Sequence, residues 1–201
     1  MEPLILASTS PYRKELLSRL GLPFKAFGPE YKEVARTGAG AGELALENAL
    51  GKALSLGERF PGSIVIGSDQ CAQVDGEILG KPGTLENAAL QLARMSGRNV
   101  TFHTGLALVR DGERHLACEV FEAKLKELTP AQIGAYLLRE MPLDCAGSFK
   151  IEGLGIALME RLRGDDYTAL MGLPLIRLVS LLKAMGVDAL TGVEPAQRRC
   201  G

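Results

Sequence analysis

Leu4-Ile5-Leu6-Ala7-Ser8-Thr9-Ser10-Pro11-Tyr12-Arg13-Lys14-Glu15-Leu16-Leu17 opens the chain as a strand, a polar break and a helix. The four apolar residues read as a short buried strand. Ser8, Thr9 and Ser10 supply helix-capping side chains, and Pro11 suits a helix start. Leu16, Leu17 and Leu20 recur at helical spacing over residues 13–20, and Gly21 ends the run. Residues 23–27 read as a second strand. A strand leading through a helix to another strand is the beginning of an α/β fold.

Further along, Thr37-Gly38-Ala39-Gly40-Ala41-Gly42 reads as a flexible loop, followed by a long amphipathic helix to about Phe60. Ile64-Val65-Ile66 is a continuous apolar run, as expected of a strand covered on both faces, with Gly67-Ser68-Asp69-Gln70 at its end. Asp75-Gly76 and Asp111-Gly112 read as hairpin turns, the second joining strands over 104–110 and 116–121. Helices are expected over 84–95, from Thr129-Pro130 to about Glu140, and over 174–185. Early alternation of strands and helices followed by hairpins predicts an α/β fold with a mixed central sheet flanked by helices. No internal repeat or long linker is visible. Residues 1–190 read as a single domain and 191–201 as a tail.

Of 201 residues, 46% are hydrophobic, enough for a sizeable core with room for two lobes. The formal net charge of -1 argues against a dedicated nucleic-acid binder but leaves room for a local basic pocket. Cys71, Cys118, Cys145 and Cys200 form no Cys-x-x-Cys pair, and His103 and His115 are not near them in sequence, so a structural zinc site is not expected. The run Leu4–Ala7 is too short for a signal-peptide core. No run reaches the ~18 apolar residues of a membrane span. These features predict a reduced cytoplasmic protein without a membrane partner.

Several constellations could carry chemistry, and each also has a plainer reading. Ser8, Ser10 and Arg13 surround a helix N-terminus, where unpaired N–H groups and the dipole favour an anion; the alternative is an ordinary capped helix. Asp69 follows an apolar strand and could bind Mg²⁺ or activate water; the alternative is a carboxylate capping a turn. Lys81, in Gly80-Lys81-Pro82, could hold a phosphate or be a solvated loop lysine. Lys52 leans toward the apolar face of its helix, which snorkelling would also explain. Glu152 stands in Ser148-Phe149-Lys150-Ile151-Glu152-Gly153, where the glycine would let a ligand approach. Cys145 reads as a small buried thiol, and no triad or nucleophile elbow is present.

Taken together, residues 8–17, Pro29 to Glu33, Lys52-Ala53, Gly67-Ser68-Asp69, Gly80-Lys81-Pro82, Ala146-Gly147-Ser148 and Gly172-Leu173-Pro174 resemble the Maf family of nucleoside triphosphate pyrophosphatases. The resemblance spans about residues 4–185 and differs in having Lys32 where the family signature often has Asp. It implies two lobes with an active-site cleft. It also implies Asp69 as catalytic base, Glu33 and Asp69 as ligands of Mg²⁺ or Mn²⁺, and Ser8, Ser10, Arg13, Lys52 and Lys81 on the substrate phosphates. Tyr12, Gln70 and Glu152 resemble the 7-methyl-GTP branch. The dTTP/UTP branch typically has Arg, Thr and Gln at these positions. The physics of the base agrees: an aromatic face attracts the cationic 7-methylguanine ring, and a carboxylate accepts from its N–H edge. The expected partner is a nucleoside triphosphate, and the chain is compatible with a homodimer. The alternatives are a dTTP/UTP pyrophosphatase and a non-catalytic, nucleotide-binding regulator of cell division.

Overall fold

The computed structural model describes residues 3–34 and 39–191. The polar break after β1 (Leu4–Ala7) does what its residues predict. Ser10 caps α1 (Pro11–Ser18) by accepting the Arg13 N–H, and the helix ends before Gly21, whose φ is +67°. β2 (Phe24–Phe27) returns parallel to β1. The helix α2 (Ala41–Gly57) then crosses to β3 (Val65–Val74). The glycine-rich loop expected before α2 falls partly on residues 37–38, outside the described ones.

β3 is longer than its apolar run suggested. Its parallel pairing with β1 stops at Leu6↔Ile66, but its antiparallel pairing with β5 (Asn99–Arg110) runs on to Gln73↔Thr101. Asp69 therefore lies within a strand, opposite Gly105, and not at a strand's end. The partner strand holds a polar stretch that local propensity alone would have released.

A turn with positive φ at both Asp75 and Gly76 leads into β4 (Glu77–Leu79), which pairs back on β3. The same geometry at Asp111 and Gly112 joins β5 to β6 (Glu113–Leu125). Both turns match the twist of the strands they join. Between the hairpins, α3 (Leu85–Met95) is capped by Thr84. After β6, α4 (Pro130–Glu140) starts with a Thr129/Gln132 capping box. A strand absent from the sequence reading, β7 (Met159–Arg163), pairs with β6, and α5 (Leu175–Ala184) ends the described fold. The sheet order is β2-β1-β3-β5-β6-β7, mixed as expected, with helices on its faces.

Three apolar clusters meet at this sheet. α1 and α5 bury Leu16, Leu17, Leu178 and Leu182 against Leu6, Ile66 and Leu106. α2 covers the other face at Ile5, Val65 and Ala107. Farther along, α3 and α4 bury Leu92, Met95 and Tyr136 against Phe102, Phe121 and Phe149. These cores form two lobes with a cleft between them. Among the described residues no helix is long and apolar enough to cross a membrane. Apart from Thr191, the tail read over 191–201 lies outside the described residues.

Candidate active site

Small residues bring the chemistry together. Ala45, Ala49 and Ala53 form the sheet-facing stripe of α2, and they meet glycines on β3 and β5. A Cβ on Gly67 would stand 2.1 Å from the Ala49 carbonyl oxygen, and one on Gly105 would stand 2.3 Å from that of Ala45. Main chain thus rests on main chain, and the adjacent α2 residues Asn48 and Lys52 are pressed against Asp69. Lys52 is 6% exposed, yet it is not a snorkelling stem: its Nζ lies 2.6 Å from Asp69 Oδ1 and 2.6 Å from Glu33 Oε1. Asn48 donates to Asp69 Oδ2 at 3.3 Å and accepts from the Val34 N–H at 2.9 Å. Both Asp69 oxygens are therefore oriented.

Glu33 comes from the loop after β2 and also faces Lys81 Nζ at 3.5 Å. Desolvation alone would push the Glu33 carboxyl up, but hydrogen bonds and charge from Lys52 and Lys81 outweigh it and hold the group below its ordinary value. Arg13 reaches in from α1, donating from Nε to the Gly172 carbonyl at 2.7 Å. Ser68 shares that carbonyl at 2.8 Å. Desolvation lowers the Arg13 guanidinium from its usual value, and the nearby charges of Asp69 and Glu33 oppose the shift.

The cleft follows a gap in the sheet. On one edge of β3, the pairing with β1 stops at Ile66 and that with β4 reaches only to Ala72, opposite Leu79, so residues 67–71 have no strand beside them there. The polar segment Ser8-Thr9-Ser10 enters at the end of β1. The resulting cavity, about 300 Å³, is lined by Ser8, Ser10, Tyr12, Arg13, Glu33, Lys52, Asp69, Gln70, Lys81 and Glu152, among others. All ten residues singled out from sequence therefore face one space.

The loop carrying Glu152 is pinned from behind. Ser148 donates to Gln91 at 2.6 Å, the Lys150 N–H to the Tyr136 hydroxyl at 3.0 Å, and the Leu154 N–H to Glu140 at 2.6 Å. Gly153 and Gly155 serve this packing, since added Cβ atoms would strike the Glu140 carboxylate and the Lys150 carbonyl. Glu152 sits at the exposed rim, and the protein crowded around the cleft holds its carboxyl above the ordinary value by desolvation. Lys150 Nζ lies 5.6 Å from the centre of the Tyr12 ring, so this aromatic face already carries a cation. Gln70 is bound differently from expectation: its amide nitrogen donates to the Ala169 carbonyl at 2.7 Å and to Thr104 Oγ1 at 3.1 Å, fastening the turn over 167–171 to the sheet.

Cys145 lines the cavity instead of being fully buried, but burial still pushes its thiol up to about 12, and it is no nucleophile at neutral pH. Asn48 and the Gly172 carbonyl were missed by sequence reasoning. Asn48 had a usable signal, an amide one helical turn before Lys52 on the same buried stripe; a backbone carbonyl has none. Among the described residues no three His, Cys, Asp or Glu side chains are grouped as metal ligands; Glu33 and Asp69 form a pair that converges on Lys52 Nζ.

Sequence comparison identifies the lineage of this cleft. The family model described as Maf-like protein matches residues 3–185. The chain belongs to the Maf family. Relatives named 7-methyl-GTP pyrophosphatase align with nearly all of it. That of Pseudomonas aeruginosa is 50% identical over 190 residues, covering 94% of this chain and 99% of the relative. That of Bordetella pertussis is 51% identical over 189 residues, covering 94% and 95%. That of Syntrophotalea carbinolica is 49% identical over 194 residues, covering 94% and 98%. A solved structure, the Ham1 protein of Staphylococcus aureus, is a looser match at 16% identity and a TM-score of 0.44, covering 63% of this Maf chain and 73% of its own.

Proposed function

We propose that this Maf chain hydrolyses 7-methyl-GTP to 7-methyl-GMP and pyrophosphate, with Asp69 as general base. One observation carries the reading. Lys52 bridges Asp69 and Glu33 at 2.6 Å each, in the same cavity whose wall presents Tyr12 and Glu152. The names of relatives about half identical in sequence point the same way.

The donor set suits a divalent cation. Two carboxylates already converge on one positive group, and two carboxylates completed by phosphate oxygens and water match the needs of Mg²⁺ or Mn²⁺. Glu33 and Asp69 would hold the ion, which would neutralise phosphate charge and acidify water. The remaining work belongs to side chains. Asp69, oriented by Lys52 and Asn48, takes the proton from water attacking the α-phosphorus. The bond from that phosphorus to the bridging oxygen breaks, and pyrophosphate leaves. Lys52, Lys81 and Arg13 offset the phosphate charge. Ser8 accepts the Ser10 N–H at 3.1 Å, which leaves its hydroxyl proton for a phosphate oxygen, and Ser10 donates beside it.

At the other end, the Tyr12 face suits the cationic base, and Glu152 accepts from its N–H edge. Binding such a cation relieves the carboxylate held above its ordinary value. The test is pyrophosphate release from 7-methyl-GTP, GTP, dTTP and UTP with Mg²⁺ or Mn²⁺. The highest kcat/KM is expected for 7-methyl-GTP. A higher value for dTTP or UTP replaces the substrate, and no release from any of them favours the binding-only regulator.

A further inference from the structure

The cavity that presents Tyr12 and Glu152 holds a further carboxylate. Asp144 lines it together with Cys145 and Phe149. Its backbone is fixed on both sides: the Leu143 carbonyl accepts from the Gly83 N–H at 3.1 Å, and the Cys145 carbonyl accepts from the Ser148 N–H at 3.0 Å. The Cys145 thiol meets Asp144 Oδ1 at 3.6 Å, and this partner is neutral, because burial pushes the thiol up to about 12. Lys150 is engaged elsewhere, 3.8 Å from Glu140 Oε2 and 5.6 Å from the centre of the Tyr12 ring. Desolvation is the largest cause that holds the Glu152 carboxyl above its ordinary value, and the charge of Asp144 adds to it, so the two carboxylates feel one another.

Glu152 alone does not account for the choice of a methylated base. GTP and 7-methyl-GTP present the same N1–H and N2–H₂ edge, so hydrogen bonds to that edge do not separate them. The two differ in the N7 methyl group and in one positive charge. Tyr12 responds to that charge, but Lys150 already draws on its ring. Resting on the 7-methyl-GTP reading of this cavity, we propose that Asp144 is a further specificity-determining residue, which favours cationic 7-methylguanine over neutral guanine by its charge. A cationic base answers two negative groups at once, whereas a neutral base answers neither. Asp144 touches no reacting atom, so its effect falls on KM and not on kcat. It is exposed, so its attraction is screened by salt.

The experiment measures kcat and KM for 7-methyl-GTP, GTP, dTTP and UTP with Mg²⁺ in the wild type and in Asp144→Asn, Asp144→Glu and Asp144→Lys, at low and at raised ionic strength. Asp144→Asn should raise KM for 7-methyl-GTP by about three- to tenfold with kcat unchanged, and leave KM for GTP within about twofold. Asp144→Glu should keep the wild-type preference, and Asp144→Lys should lower it below that of the Asn variant. Salt should reduce the preference of the wild type for 7-methyl-GTP over GTP, and reduce that of Asp144→Asn less. An unchanged preference in Asp144→Asn overturns the proposal; if the wild type still favours 7-methyl-GTP over dTTP and UTP, the reading beneath it is spared. An equal loss on both guanine nucleotides ties Asp144 to the metal, the ribose or the fold, and overturns the proposal too. A wild type that prefers dTTP or UTP overturns the reading and this proposal with it. The salt response of the wild type needs no variant, and a preference unmoved by salt also overturns the role of Asp144.

Discussion

Replacing Lys52 by Met removes the ammonium from between two carboxylates while keeping most of its apolar stem. Each carboxylate oxygen lies 2.6 Å from Nζ, so the two are separated by at most twice that distance. At roughly 5 Å and an effective dielectric constant of ~20, two unit charges repel by about 3 kcal/mol. Glu33 is 41% exposed, which screens part of this, whereas Asp69 is 11% exposed and loses a buried partner. We expect a net loss of ~2–4 kcal/mol at neutral pH, or a Tm lower by roughly 5–15 °C for a chain of this size. The sign of the pH dependence should reverse. In the wild type the Glu33 carboxyl is held below its ordinary value, so its contribution is present at neutral pH and is lost as pH falls through the folded-state value. In the variant the facing carboxylates raise each other above their unfolded values, so mild acidification restores stability. Added Mg²⁺ should raise the variant's Tm more than the wild type's. Thermal unfolding between about pH 5 and 8, with and without Mg²⁺, measures all three effects. Equal melting of the two proteins at neutral pH would refute the coupling of these charges.

Asp69→Asn keeps the Asn48 and Lys52 neighbours but cannot take a proton, and steady-state kinetics should give a kcat lower by ~10²–10⁴-fold; retention of more than about a tenth would remove Asp69 from the base role. Glu152→Gln should lower kcat/KM for 7-methyl-GTP by roughly ten- to a hundredfold and affect dTTP or UTP far less. Because Glu152 titrates above its ordinary value, KM for 7-methyl-GTP should rise as pH falls through that value in the wild type, and this inflection should vanish in Glu152→Gln. Gly67→Ala would put a methyl group 2.1 Å from the Ala49 carbonyl, so α2 must lift; Tm and kcat should fall together, by ~1–3 kcal/mol in stability, and an unchanged Tm would contradict the close packing.

The sequence made the helices and both hairpin turns legible because their signals are local: Thr84, Thr129-Pro130, Asp75-Gly76 and Asp111-Gly112 act within a few residues. The stretch 67–71 was not legible as strand, because what holds it there is β5, whose pairing partners run from Ala107 opposite Gly67 to His103 opposite Cys71, far away in sequence. β7 was missed for the same reason; Met159-Glu160-Arg161-Leu162-Arg163 has little apolar character of its own and is held by β6. The candidate site was readable as a set of motifs, since Ser8, Lys81 and Glu152 sit at breaks between elements and Asp69 follows an apolar run. The partner of Lys52 was not, because the contact needs α2 to touch β3, and only Gly67 and Gly105 on the strands, facing alanines on the helix, permit that approach.

That glycine contact separates two kinds of stiffness. The spacing of Asp69, Asn48 and Lys52 is set by backbone against backbone and has no side chain that could yield. The Glu152 loop instead leans on Gln91 of α3 and on Tyr136 and Glu140 of α4, over a different core. Changes in the packing of that second core can retune which base is admitted while the proton-transfer geometry stays fixed. Changes beneath α2 disturb the chemistry first, whatever the substrate.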